Sequence, residues 1–216
     1  KVPVFIDAEE SWIQDAIDDI AVRMMEKFNT KQAWIFNTLQ LYRNDRISHL
    51  NILLTNAKKK KFFIGLKLVR GAYHEQEIER AKNLGYSCPV HQQKEDTDKD
   101  YNEALSICIK NINIISICAG THNEKSSALL IHLLKEKGIS KNDKRVYFSQ
   151  LLGMSDHISY NTAKKGFNVA KYVPYGPIKD LLPYLIRRAE ENTSITGQMG
   201  RELNNIIAEK KRRRKS

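Results

Sequence analysis

Cysteine is scarce in this 216-residue chain, and the three present, Cys88, Cys108 and Cys118, are scattered. An odd count without close pairs gives no disulfide framework and fits a reducing compartment. No Cys/His cluster has zinc spacing, so no structural metal is expected. No apolar run approaches the roughly 18–20 residues that would span a bilayer, and no secretory signal opens the chain. Gly-x-Gly-x-x-Gly follows no strand and the Gly-x-x-x-x-Gly-Lys-Ser/Thr loop is absent, which sets aside a dinucleotide-binding Rossmann fold and a P-loop protein. No serine stands in a nucleophile elbow. No repeat exists beyond the strand–helix unit.

What is present is an ordinary globular mixture, 41% hydrophobic and 28% charged, enough for one sizeable core. The net charge is +11, of which the run from Lys210 to Lys215 contributes six. The reading divides the chain into a body over 1–209 and a basic tail over 210–216, the tail being a frayed helix end or disordered. Binding of nucleic acid or anionic lipid by the tail stays open. The body itself shows no aromatic residues interleaved with basic ones, so no nucleic-acid interface is expected there.

Strands and helices alternate along the body. Strand-like runs open at Val2, Ala33, Phe62, Ile112, Val146 and Val169. Helical periodicity covers 12–28, with Ser11 as N-cap, and then about 44–59, 74–84, 98–111, 124–137, 178–191 and 197–213. This order argues for α/β architecture with a parallel sheet under helical cover. Asp7, Gln40, Arg70, His122, Gln150 and Tyr172 all fall near the C-terminal ends of strands, where (β/α)8 barrels build their active sites. Six strands are too few for a TIM-type barrel, and bare edges aggregate. The expectation is that these are strands 3–8, with the first two upstream of Lys1.

Lys67 is the residue that most needs explaining. It interrupts the apolar run Phe62-Phe63-Ile64-Gly65-Leu66-Lys67-Leu68-Val69, and a buried ammonium costs several kcal/mol unless paired. Asp7 is either a loop carboxylate or the acceptor that pairs with it. Arg70-Gly71-Ala72 follows the strand, with a guanidinium suited to phosphate and a glycine that admits a close ligand. On a helix, Tyr184, Arg187, Arg188 and Glu191 share one face. They form either a surface salt-bridge cluster or a clamp for a carboxylate. His122 is either structural or a ligand contact.

Together these motifs resemble the proline dehydrogenase family. Phe5-Ile6-Asp7-Ala8-Glu9, Ile35-Phe36-Asn37-Thr38 with Gln40 and Tyr42, Lys67-Leu68-Val69-Arg70-Gly71-Ala72-Tyr73 and Thr121-His122-Asn123-Glu124 recur there in this order. So do Gln150-Leu151-Leu152-Gly153-Met154, Lys171-Tyr172-Val173-Pro174-Tyr175-Gly176-Pro177 and Pro183-Tyr184-Leu185-Ile186-Arg187-Arg188. The resemblance implies a (β/α)8 barrel that uses FAD to oxidise L-proline to Δ1-pyrroline-5-carboxylate. Hydride passes from proline C5 to the flavin and electrons go on to quinone. It implies Asp7 and Lys67 as catalytic, Lys67 standing where many members have arginine. Tyr73, Tyr172, Tyr184, Arg187, Arg188 and Glu191 would bind substrate, and Ala8, Gln40, Arg70, Gly71, Ala72, Thr121 and His122 would line FAD. A tyrosine at 172, where a hydroxyproline-oxidising branch has serine, favours proline. Peripheral membrane contact follows, on the mitochondrial matrix side or the cytoplasmic face of a bacterial inner membrane. The competing class is a degenerate barrel acting as a binding module, against which the retained Arg187/Arg188/Glu191 set argues.

Overall fold

The computed structural model describes residues 2–179, 181–186, 207 and 210–213. Its elements run β1 (Val4–Ile6), α1 (Ser11–Phe28), β2 (Ile35–Gln40), α2 (Arg46–Lys60), β3 (Ile64–Val69), α3 (His74–Leu84) and α4 (Lys94–Lys110). Then come β4 (Ile115–Gly120), α5 (Glu124–Glu136), β5 (Val146–Leu151), α6 (Asp156–Lys164) and β6 (Val169–Tyr172). The strands form one sheet in sequence order, and the pairings from β1 through β5 are parallel. Two compact units are distinguished: Lys1–Gln150 with Asp156–Lys171, and Leu151–Ser155 with Tyr172–Ser216.

The first unit is a parallel sheet whose two faces differ in chemistry because strand side chains alternate. On the helix side, Leu39, Ile64, Leu66, Leu68, Ile115, Ile117, Val146 and Phe148 join Leu50, Tyr101, Leu105 and Leu130 in one buried core. The other face is layered. Phe5, Phe36, Gly65 and Ser116 form one row across the strands, Thr38, Lys67, Cys118 and Tyr147 the next, and Gln40 with Val69 a third. Phe5 and Phe36 stack with centroids 4.6 Å apart. A Cβ on Gly65 would lie 2.4 Å from the Ile35 carbonyl oxygen and 2.8 Å from the Phe36 ring. Glycine at 65 is therefore what lets the aromatic floor lie across β3.

Several local expectations shift. Ser11 is the first helical residue rather than the N-cap, and Glu10 holds the cap position with extended backbone. The Ser11 N–H and hydroxyl both donate to Glu77 of α3, at 2.5 and 2.7 Å. A fully buried carboxylate from another helix thus satisfies the first turn of α1. α4 begins four residues earlier than its apolar spacing indicates, because Lys94-Glu95-Asp96 starts it as a polar turn. β4 opens at Ile115 instead of Ile112, since 112–114 form the turn after α4. α6 was not expected at all: Asp156-His157-Ile158-Ser159-Tyr160-Asn161-Thr162 is poor in helix formers, and tertiary burial of Ile158, Ser159 and Thr162 holds it. Residues 178–179 and 181–186 are helical as expected, and so are 207 and 210–213.

Candidate active site

The layer above the phenylalanine floor carries the charge. Asp7, one residue past β1, pairs with Lys67 Nζ from β3, sixty residues on. The Lys67 side chain is 20% exposed and Asp7 is 50% exposed, so the pair sits at the accessible edge of the sheet face. Thr38 lies between them in register, with its hydroxyl 2.8 Å from the Ile6 carbonyl oxygen and 3.4 Å from Asp7 Oδ1. Cys118 flanks Lys67 on the other side. Burial pushes its thiol up to about 11, opposed by a hydrogen bond with Ser149 and by the Lys67 charge. Cys118 therefore stays a neutral thiol at physiological pH and is no nucleophile.

A chain of polar side chains fixes the loops above that layer. Gln14 Oε1 accepts from the Glu9 N–H at 2.8 Å. Gln40 Nε2 donates to the Glu9 carbonyl at 2.7 Å, and Gln40 Oε1 accepts from the Ala72 N–H at 3.1 Å. Tyr73 donates its hydroxyl to Glu9 Oε2 at 2.5 Å. The segments Asp7-Ala8-Glu9 and Gly71-Ala72-Tyr73 are thereby joined through the buried carboxamide of Gln40. Gly71 has φ +143° and packs so tightly that a Cβ would fall 2.4 Å from the Tyr42 ring.

Arg70 is engaged more than the sequence indicates. Its Nε donates to Asp98 at 2.6 Å, Nη1 to Thr121 Oγ1 at 2.6 Å and Nη2 to Ser126 Oγ at 2.9 Å. The guanidinium also lies 4.4 Å over the Tyr101 ring. Among the described residues, two of its five N–H groups are left over. Thr121 accepts in addition from the Asn123 N–H, and Asn123 caps α5. His122 is half-buried between them.

In the second unit Tyr172 and Tyr184 face each other with ring centroids 6.1 Å apart. Arg187, Arg188 and Glu191 lie outside the described residues.

The proline dehydrogenase family profile matches residues 1–201. The chain belongs to that family. It is 40% identical over 98% of its length to a Drosophila melanogaster protein named "Proline dehydrogenase 1, mitochondrial", and 38% identical over 93% to the Homo sapiens protein of that name. A Xenopus laevis "Hydroxyproline dehydrogenase" is 36% identical over 99%. The chain spans 33%, 34% and 47% of those three proteins. Among solved structures, proline utilization A from Bdellovibrio bacteriovorus superposes with a TM-score of 0.84, at 25% identity over 90% of this chain and 20% of that one. The six consecutive strands thus belong to the TIM-type barrel of the family.

The residues present fit the flavin that the family implies. The riboflavin ring carbonyls, its N5 and a diphosphate are hydrogen-bond acceptors. The Lys67 ammonium and the remaining N–H groups of Arg70 and Gln40 are donors of the matching kind. The structure brings Asp7, Lys67, Gln40, Arg70, Ala72, Tyr73 and Thr121 together in three bonded groups: Asp7 with Lys67; Gln40 with Ala72 and, through Glu9, with Tyr73; and Arg70 with Thr121. Ala8 is half-buried between two anchored neighbours. Sequence reasoning assigned no role to Thr38, Glu9, Gln14 or Asp98. Thr38 and Glu9 stood inside quoted motifs, but their partners depend on sheet register. Asp98 shows no local signal.

Proposed function

We propose that this chain supplies the flavin-binding part of an enzyme that oxidises L-proline to Δ1-pyrroline-5-carboxylate. The observation that carries the reading is the family match over residues 1–201. A bound flavin would supply the hydride acceptor. Lys67 offers a donor toward the ring and is paired with Asp7. Gln40 and the Gly71-Ala72 backbone hold the cofactor loop, while Arg70, braced by Asp98, presents its remaining N–H groups. Arg187 and Arg188 bind the substrate carboxylate as forked donors, with Glu191 as counter-ion. Tyr73, Tyr172 and Tyr184 pack against the ring. Ala8, Thr121 and His122 complete the FAD lining.

Quinone is the proposed electron acceptor. The setting is the matrix side of a mitochondrial membrane, in line with the mitochondrial names of several relatives. No helix among the described residues is long and apolar enough to cross a membrane. Peripheral contact with the bilayer is part of the proposal.

The full-length protein, purified with its flavin and kept anaerobic, should lose its flavin absorbance when L-proline is added. Arg187→Met should raise the half-saturating proline concentration at least about tenfold. Bleaching by hydroxyproline in preference to proline would favour the second reading, for which the Xenopus relative speaks and Tyr172 speaks against. No bleaching by either would refute both.

A further inference from the structure

Thr38 occupies the centre of the charged layer, and the family resemblance gives it no role. It is 3% exposed, in a strand, on the face that carries Lys67. Its hydroxyl has one proton and two acceptors within reach: the Ile6 carbonyl oxygen at 2.8 Å and Asp7 Oδ1 at 3.4 Å. Ile6 and Asp7 are consecutive, so a single side chain holds both the end of β1 and the carboxylate that follows it. The nearer acceptor takes the proton while the Lys67 ammonium is on Asp7. Rotation about the Cβ–Oγ bond turns the same proton to Asp7 without moving a heavy atom. A lysine ammonium that turns one of its three N–H groups to a bound ligand shares its charge between ligand and counter-ion, and a half-exposed carboxylate at a strand end is then held less firmly. A hydroxyl poised beside it keeps the carboxylate in place.

Resting on the reading of Asp7 and Lys67 as the reactive pair, we propose that Thr38 is the positioning residue of that pair, a hydroxyl rotor that steadies Asp7 when Lys67 turns to a ligand. It touches no reacting atom. Valine would copy its shape and remove the proton, and serine would keep the proton.

The test uses the full-length, flavin-loaded protein and the variants Thr38→Val, Thr38→Ser, Asp7→Asn and the Thr38→Val/Asp7→Asn double. The first readout needs no substrate, because the bound flavin is itself the ligand to which Lys67 turns: the rate at which an amine-acylating reagent modifies Lys67, followed by mass spectrometry. Thr38→Val should raise that rate by about tenfold, the size of one lost hydrogen bond to a charged group, and Thr38→Ser should stay near the parent. The second readout is anaerobic flavin reduction by L-proline. Thr38→Val should lower the limiting rate about tenfold with little change in half-saturation. It should add nothing in the Asp7→Asn background. Unchanged Lys67 labelling in Thr38→Val, equal defects in Thr38→Val and Thr38→Ser, or a full Thr38→Val effect without Asp7 would each overturn the proposal. Should the parent protein not be reduced by proline, the functional reading fails and the labelling arm alone decides the role of Thr38. If Thr38→Val does not fold, Thr38→Ala carries the same expectations.

Discussion

At the scale of single residues, glycine is required for a different reason at Gly71 than at Gly85. Gly71 combines φ +143° with a ring where its Cβ would be, whereas Gly85 has φ +69° and open space around it. Gly71→Ala must therefore meet both backbone strain and overpacking, together roughly 2–5 kcal/mol. Gly85→Ala meets only the strain, about 1 kcal/mol. Denaturant unfolding should rank them in that order, and equal losses would contradict the packing of Gly71 on Tyr42. Lys67 was legible from sequence because a charge inside an apolar run demands a partner, and Asp7 is that partner. Arg70 was legible only as a cation. Its engagement by Asp98, Thr121 and Ser126 joins residues 28, 51 and 56 positions away, which no local pattern announces.

At the scale of elements, α1, β2 and α2 are locked by a buried ionic cluster. Asp18 accepts from Gln14 and Asn37 at 2.8 Å and from Arg46 at 2.6 Å. Arg46 also pairs with Asp45, which in turn holds Arg43. Burial opposes ionisation of Asp45, but hydrogen bonds and charge from Arg46 and Arg43 outweigh it and hold its pKa at about 2. His49 of α2 sits beside this cluster, its Nε2 3.8 Å from Asp18. Burial lowers its pKa below the ordinary 6.5, with Arg46 and Arg43 acting the same way and Asp18 and Asp45 opposing. A folded-state value below the unfolded one means that the unfolded chain takes up the proton first. Stability is therefore full above about pH 6.5 and falls as the pH drops toward the folded-state value. The midpoint of thermal unfolding, measured from about pH 8 to 5, should decline more for the parent than for His49→Gln. Parallel curves would show that His49 is not part of the acid response. The helices themselves were legible where apolar spacing was regular, as in α1 and α3. α6 was not, because its residues are weak helix formers that only packing makes helical.

At the scale of the whole molecule, protection should follow the sheet. β3 lies between β2 and β4, and Ile64, Leu66 and Leu68 are fully buried. β1 has three residues, two of them exposed, and pairs with β2 alone among the described residues. Native-state hydrogen exchange should be slowest in the β3 amides and fastest in β1, by orders of magnitude. Comparable rates would mean that the sheet opens as one unit. Outside the sheet, residues 207 and 210–213 are helical, which extends order into the segment read as a basic tail.

Alternation of strands and helices, the parallel α/β class and the placing of Asp7, Gln40, Arg70 and His122 at strand ends came from sequence alone. They depend on hydrophobic period and on turns, which are local properties of the chain. Only the tertiary structure decided that Thr38 stands between Asp7 and Lys67, that Gln40 ties Glu9 to Ala72, and that Glu77 closes the first turn of α1. Each of these contacts joins residues thirty or more positions apart. The strand contacts are fixed by the register of parallel strands, where a one-residue slip would turn Thr38 and Gln40 to the opposite face, and the Ser11–Glu77 contact by helix packing.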